Sequence, residues 1–185
     1  MGGSFAVTIE WKIIFYLKDV DSMLIPINYD RELVEQDKNN IYIFTDNCSR
    51  TSGSGMIDHN SWYAVCFGNN CKYPSVTTAC IRGLDNAYPI TTMKRYVKGA
   101  DYQQYRWTDD DIEEFKTIID QDFNRIKCVI ISKKLKKVYV PSNGFFNSRI
   151  SNITEQRCPM IYQYLVYKIN DLKEFLTQFE EELWN

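Results

Sequence analysis

The run IYIF, Ile41–Phe44, followed by TDN and then CSRTSGSG (48–55), decides how the chain is read. Four consecutive apolar residues, β-branched or aromatic, between polar turns are the pattern of a strand covered on both faces. The run gives way to Thr45-Asp46-Asn47 and then to a segment too rich in Ser and Gly to pack as regular structure. A loop leaving the end of a buried strand is the signature of an α/β protein. The expected fold is a mixed, mostly parallel sheet flanked by helices and completed by a long C-terminal helix.

Upstream, residues 5–17 (FAVTIEWKIIFYL) have strand composition, and Met23–Ile27 carries Pro26, which suits an edge strand at best. DRELVEQD (30–37) reads as a brief helix closed by Lys38-Asn39-Asn40. Downstream, 56–72 is an irregular aromatic excursion containing Trp62, Tyr63 and Phe67. Pro74 and Gly83 bracket a short helix, with Arg82 at its last turn. YPITTM (88–93) reads as a strand.

Thr108 opens a helix with Asp109, Asp110 and Asp111 at the positive end of its dipole and with Ile112, Phe115, Ile118, Ile119, Phe123 and Ile126 along one face. Cys128–Ser132 and Lys137–Val140 read as two short strands around KKLKK. Arg149–Ile153 reads as a helical turn. Pro159 begins the terminal helix, with Leu165, Ile169, Leu172, Leu176, Phe179 and Leu183 at alternating spacings of four and three, and with Asn170-Asp171 as a point of breakage or recapping. A stripe of this width suits a core-facing helix better than a coiled-coil seam. No repeat or linker divides the chain, so 1–185 is expected to be one domain: a strand-helix addition at 1–40, a core at 41–168, and the helix at 159–184.

With 24 acidic against 22 basic residues, the formal charge of −2 supplies no field to hold duplex nucleic acid. No apolar run reaches the roughly 18 residues that span a bilayer, and the N-terminus lacks a signal-peptide layout. The sequence thus describes a soluble, cytoplasmic protein that neither spans nor anchors to a membrane. Six cysteines without a CxxC pair, and the single histidine His59, offer no zinc-ligand spacing, so neither metal nor cofactor is expected. The thiols read as reduced and mostly buried. His59 is accompanied by no GxSxG nucleophile elbow.

Ligands of open α/β sheets collect where strands end at their carboxyl edge. Two loops have suitable composition. The first holds Asp46, Asn47, Arg50, Gly53, Ser54 and Gly55: glycines that let amides approach an anion, hydroxyl donors, and a guanidinium. The second, after Val140, holds Ser142, Asn143 and Gly144, with Asn147 and Ser148 beyond. Neither is a GxxxxGK[ST] or GxGxxG fingerprint, and clusters of this kind also serve as plain turns. Between them Arg82 and Asp85 can pair with each other or meet a ligand, and Asn86 can hold a turn or read a polar ligand edge. For proton transfer Asp46, at the mouth of the first loop, is the first choice.

IYIFTDN with Arg50 and the glycines (41–55), IRGLDNAYPITTMKRY (81–96) and VYVPSNGFFNS (138–148), in that order, resemble a family of small phage and bacterial α/β proteins that are themselves similar to Rossmann-like nucleotide-sensing and macro-type domains. The resemblance covers residues 41–168. It implies a phosphate- or ribose-bearing ligand contacted by Asp46, Asn47, Arg50, the glycine loop, Arg82 and the 142–148 loop. Two functions follow as expectations. One is binding, with or without hydrolysis, of a nucleotide-derived small molecule in phage-host conflict. The other is a non-enzymatic virion or assembly role, in which the fold serves contacts with itself or with a phage structural partner.

Overall fold

The computed structural model describes residues 24–47, 81–94, 106–134, 137–146 and 153–184. Among them the elements run β1 (Leu24–Ile27), α1 (Arg31–Gln36), β2 (Ile41–Asn47), β3 (Ala87–Met93), a 3-10 turn at Asp109–Asp111 leading into α2 (Ile112–Lys133), β4 (Val138–Pro141) and α3 (Pro159–Trp184). The strands form one sheet in the order β1-β4-β2-β3, and every neighbouring pair is parallel. The expected strand at 5–17, the excursion at 56–72, the helix between Pro74 and Cys80 and most of the turn at 149–153 lie outside the described residues.

The pleat of the strands sorts their side chains onto two faces. Ile41, Ile43, Ile90, Val138 and Val140 join Phe115, Ile119, Phe123, Ile126 and Ile130 of α2 and Ile161, Leu165, Leu172 and Leu176 of α3 in the larger core. Tyr42 and Phe44 point the other way, onto Val34 of α1 and Ile81. The apolar run at 41–44 is unbroken for this reason: β2 is an inner strand covered on both sides. Pro26 and Pro89 lie in β1 and β3, the two outer strands, where a missing amide donor is tolerated.

Two expectations are corrected and a third is extended. Cys128–Ser132 is not a strand but the last part of α2, because Ile126 and Ile130 extend the buried face begun by Phe115, Ile119 and Phe123. The helix stops at Lys134, whose φ of 50° is left-handed. Asn170-Asp171 does not interrupt α3, since Asp171 forms an ion pair with Lys127 of α2 while Leu172 is buried. The aspartates at 109–111 also do more than complement their own helix. The Met160 and Ile161 amides donate to Asp109 Oδ1 at 3.1 and 3.2 Å, so this carboxylate caps the N-terminus of α3. Asp111 accepts from the Thr108 amide at 3.0 Å and the Thr108 hydroxyl at 2.8 Å. No helix of the described residues is long and apolar enough to cross a membrane.

Candidate functional site: the carboxyl edge of the sheet

Parallel pairing delivers the carboxyl ends of all four strands to one edge. β4 keeps register with β1 along its length, from Leu24↔Val138 to Ile27↔Pro141. With β2 it shares only Ile41↔Val138 and Tyr42↔Tyr139. Beyond that point β2 continues against β3 alone, as far as Asn47↔Met93. The sheet therefore divides between β2 and β4 as it approaches its carboxyl edge. Tyr29 bridges the two strands where the fork begins, its hydroxyl donating to the Ile43 carbonyl and lying 3.3 Å from that of Tyr139.

Ile81 and Leu84, which precede β3, pack on the α1 face, and Phe145, Ile153 and Cys158, which follow β4, pack on the opposite face. Open α/β sheets take their ligands at the carboxyl ends of the strands.

On the β4 side of the fork the chain turns tightly. The Ser142 amide donates to the Ile27 carbonyl and the Gly144 amide to the Pro141 carbonyl, both at 2.9 Å. Gly144 has φ +71°, which only glycine adopts without strain, although a Cβ there would meet nothing within 4 Å. The Ser142 hydroxyl donates to Asn28 Oδ1. Asn28, Ser142 and Asn143 are all exposed. Asn28 carries no motif, and only its register with the turn after β4 brings it to the site.

On the β2 side, Asp46 lies inside the strand rather than in the loop and is buried together with Arg82. Arg82 Nε donates to Asp46 Oδ2 at 2.8 Å and the Nη2 arm donates to Oδ1, a bidentate fork. The sequence leaves Arg82 to pair with Asp85 or to meet a ligand; in the structure its guanidinium is bound to the Asp46 carboxylate. Arg31 Nη1 holds the Arg82 carbonyl at 3.0 Å, so α1, the 81–83 turn and the end of β2 are tied in series. Gly83, at φ +82°, lets this turn reverse.

Asp85 and Asn86 are carried to the other end of the sheet. The Tyr42 amide donates to the Asn86 carbonyl at 2.9 Å, and Asn86 Nδ2 donates to the Val34 and Asp37 carbonyls at 2.7 and 2.5 Å. Asn86 is a buried brace for the C-terminus of α1, about 13 Å along β2 from Asp46 at the usual strand rise. Asp85 is exposed. Arg50, Gly53, Ser54, Gly55, Asn147 and Ser148 lie outside the described residues, as does His59.

A further polar group, not singled out by its sequence, stands at the end of β3. The register slips between Asp46 and Asn47, so that Asp46 faces Thr91 and Asn47 faces Met93. The Thr91 amide, on the outer strand, donates to buried Asp122 Oδ2 of α2 at 2.9 Å. The Thr91 and Thr92 hydroxyls and the Trp107 indole N–H are buried and find no hydrogen-bond partner among the described residues. The adjacent threonines of YPITTM, in an otherwise buried strand, are the sequence signal that could have marked this place. Of the described cysteines Cys158 is buried and Cys128 exposed, and burial pushes the Cys158 thiol upward.

The parallel sheet, forked at its carboxyl edge, and the helices packed on it define an α/β protein. The chain belongs to a family of unknown function (DUF7831), matched over residues 25–168. That match takes in β1 and α1, which the resemblance seen in the sequence leaves out. No curated protein and no solved structure matches the chain.

Proposed function

We propose that this protein binds a nucleotide-derived small molecule, bearing phosphate or ribose, in the crevice between β2 and β4. The observation that carries the reading is the fork at the carboxyl edge: two adjacent parallel strands part there, and in the sequence the Ser/Gly-rich 48–55 and the Ser/Asn/Gly-rich 142–148 follow them. The buried Asp46–Arg82 pair supports the end of β2 from beneath. Hydrolysis, if the ligand undergoes it, falls to Asp46, which must first part from the Arg82 fork that occupies both of its oxygens. The resemblance to nucleotide-sensing and macro-type domains of phage and bacteria agrees with this reading and suggests a cytoplasmic role in phage-host conflict.

A thermal-shift panel tests the proposal. ADP-ribose or a cyclic nucleotide should raise Tm by several degrees at concentrations well above Kd, and Arg50→Ala should abolish the rise. A flat response across ribose- and phosphate-bearing compounds contradicts it.

A further inference from the structure

The groups at the β1–β4 side of the crevice form a set of their own. Asn28, Ser142, Asn143 and Gly144 are neutral, and neither 28–30 nor 142–146 contains a lysine or arginine. The charged residue that follows Asn28 is Asp30, whose carboxylate is turned onto the Glu32 and Leu33 amides as the N-cap of α1. Within 28–30 and 142–146 a phosphate would find the Asp30 carboxylate and no lysine or arginine side chain. An uncharged partner with hydroxyl groups would meet amides.

One of those amides is already oriented. Ser142 donates its hydroxyl to Asn28 Oδ1, while its own backbone amide is fixed to the Ile27 carbonyl at 2.9 Å. The bond sets which end of the Asn28 amide faces the protein and leaves the two Nδ2 donors for a second partner. Asn143, one residue along the same tight turn, is exposed beside it. Donors held in place before binding lose little freedom when a ligand arrives, which favours specificity.

We infer that Asn28, oriented by Ser142 and assisted by Asn143, reads the uncharged, hydroxyl-bearing part of the ligand, a sugar ring, and that the ligand's anionic part is bound elsewhere along the same edge. This rests on the function proposed above and divides its site into a sugar half and an anion half.

The test is calorimetric titration of the full chain with two probes, ADP-ribose and inorganic pyrophosphate, the second having no sugar. Wild type should bind ADP-ribose more tightly than pyrophosphate. Asn28→Ala should weaken ADP-ribose binding roughly three- to tenfold, the range of one or two neutral hydrogen bonds, and leave pyrophosphate unchanged. Ser142→Ala, which keeps the amide but frees it, should give a smaller loss in the same direction. Both side chains are exposed, so each variant should melt with wild type, and matching Tm values check this. Binding of both probes with equal affinity, or loss of both or of neither in Asn28→Ala, overturns the sugar assignment while leaving an anion site standing. Failure of wild type to bind either probe overturns both this assignment and the function on which it rests.

Discussion

At the scale of single residues, the Asp46–Arg82 pair holds two charges away from water, and each is costly to bury without the other. Asp46→Ala is expected to lower the unfolding free energy by about 3 to 5 kcal/mol, because it leaves a buried guanidinium without its carboxylate. The double variant Asp46→Leu with Arg82→Met should recover much of that loss. Urea unfolding of wild type, Asp46→Leu, Arg82→Met and the double variant gives the coupling directly; additive losses would mean that the two side chains do not depend on each other. In the sequence Asp46 and Arg82 are both visible as chemistry-bearing residues, but their pairing is not. They are separated by a long excursion, while Asp85 offers a local partner only three residues from Arg82. The same limit applies to Asn28, an ordinary asparagine until β1 and β4 are laid side by side.

At the scale of elements, α2 and α3 are joined by a polar seam along their apolar contact. Lys127 Nζ lies 2.9 Å from Asp171 Oδ2, Lys168 Nζ lies 3.1 Å from Asp120 Oδ1, and the Tyr164 hydroxyl donates to Asp120 at 2.6 Å. Burial works to raise both carboxyls, but the bonds from Tyr164 and Lys168 to Asp120, and from Lys127 and Lys168 to Asp171, outweigh it. Both acids therefore titrate below the ordinary carboxylate range. A carboxyl lowered in the folded state contributes stability that is present above its unfolded value, about 3.9, and is lost as pH falls through the folded one. Tm should accordingly fall below about pH 4, and Asp120→Asn with Asp171→Asn should make that fall shallower. An identical acid limb in the variant would remove the seam from the explanation. Partial exposure and screening keep the contribution of each pair modest. The seam also explains why α3 runs through Asn170-Asp171, a place where sequence alone suggests a break. The tail of α2 misleads for a related reason: Cys128–Ser132 is rich in β-branched residues, yet its Ile130 keeps the helical spacing of Phe115, Ile119, Phe123 and Ile126.

At the scale of the whole molecule, the mostly parallel sheet, its inner strand, the edge strand with Pro26 and the long terminal helix were legible in the sequence, because each leaves a local pattern. Strand order was not. The order β1-β4-β2-β3 makes β2 and β4 neighbours, and their short shared register produces the fork. Two of the three residues gathered from 82 to 86 for the site fall elsewhere. Arg82 reaches the end of β2, whereas Asp85 and Asn86 remain at the opposite edge, where Asn86 braces α1. The buried hydroxyls of Thr91 and Thr92 show the reverse case, polar groups inconspicuous in sequence that the fold draws into its interior.

The central claim concerns which edge of the sheet receives a ligand, and amide chemical-shift mapping addresses it with the fewest steps between measurement and answer. On titration of the isotope-labelled chain with ADP-ribose, amide shifts are expected at Asn28–Asp30, Thr45–Asn47 and Ser142–Phe146 on either side of the fork. Unchanged spectra, or shifts gathered instead at Asp37–Asn40 and Asp85–Asn86 on the amino edge, would contradict it.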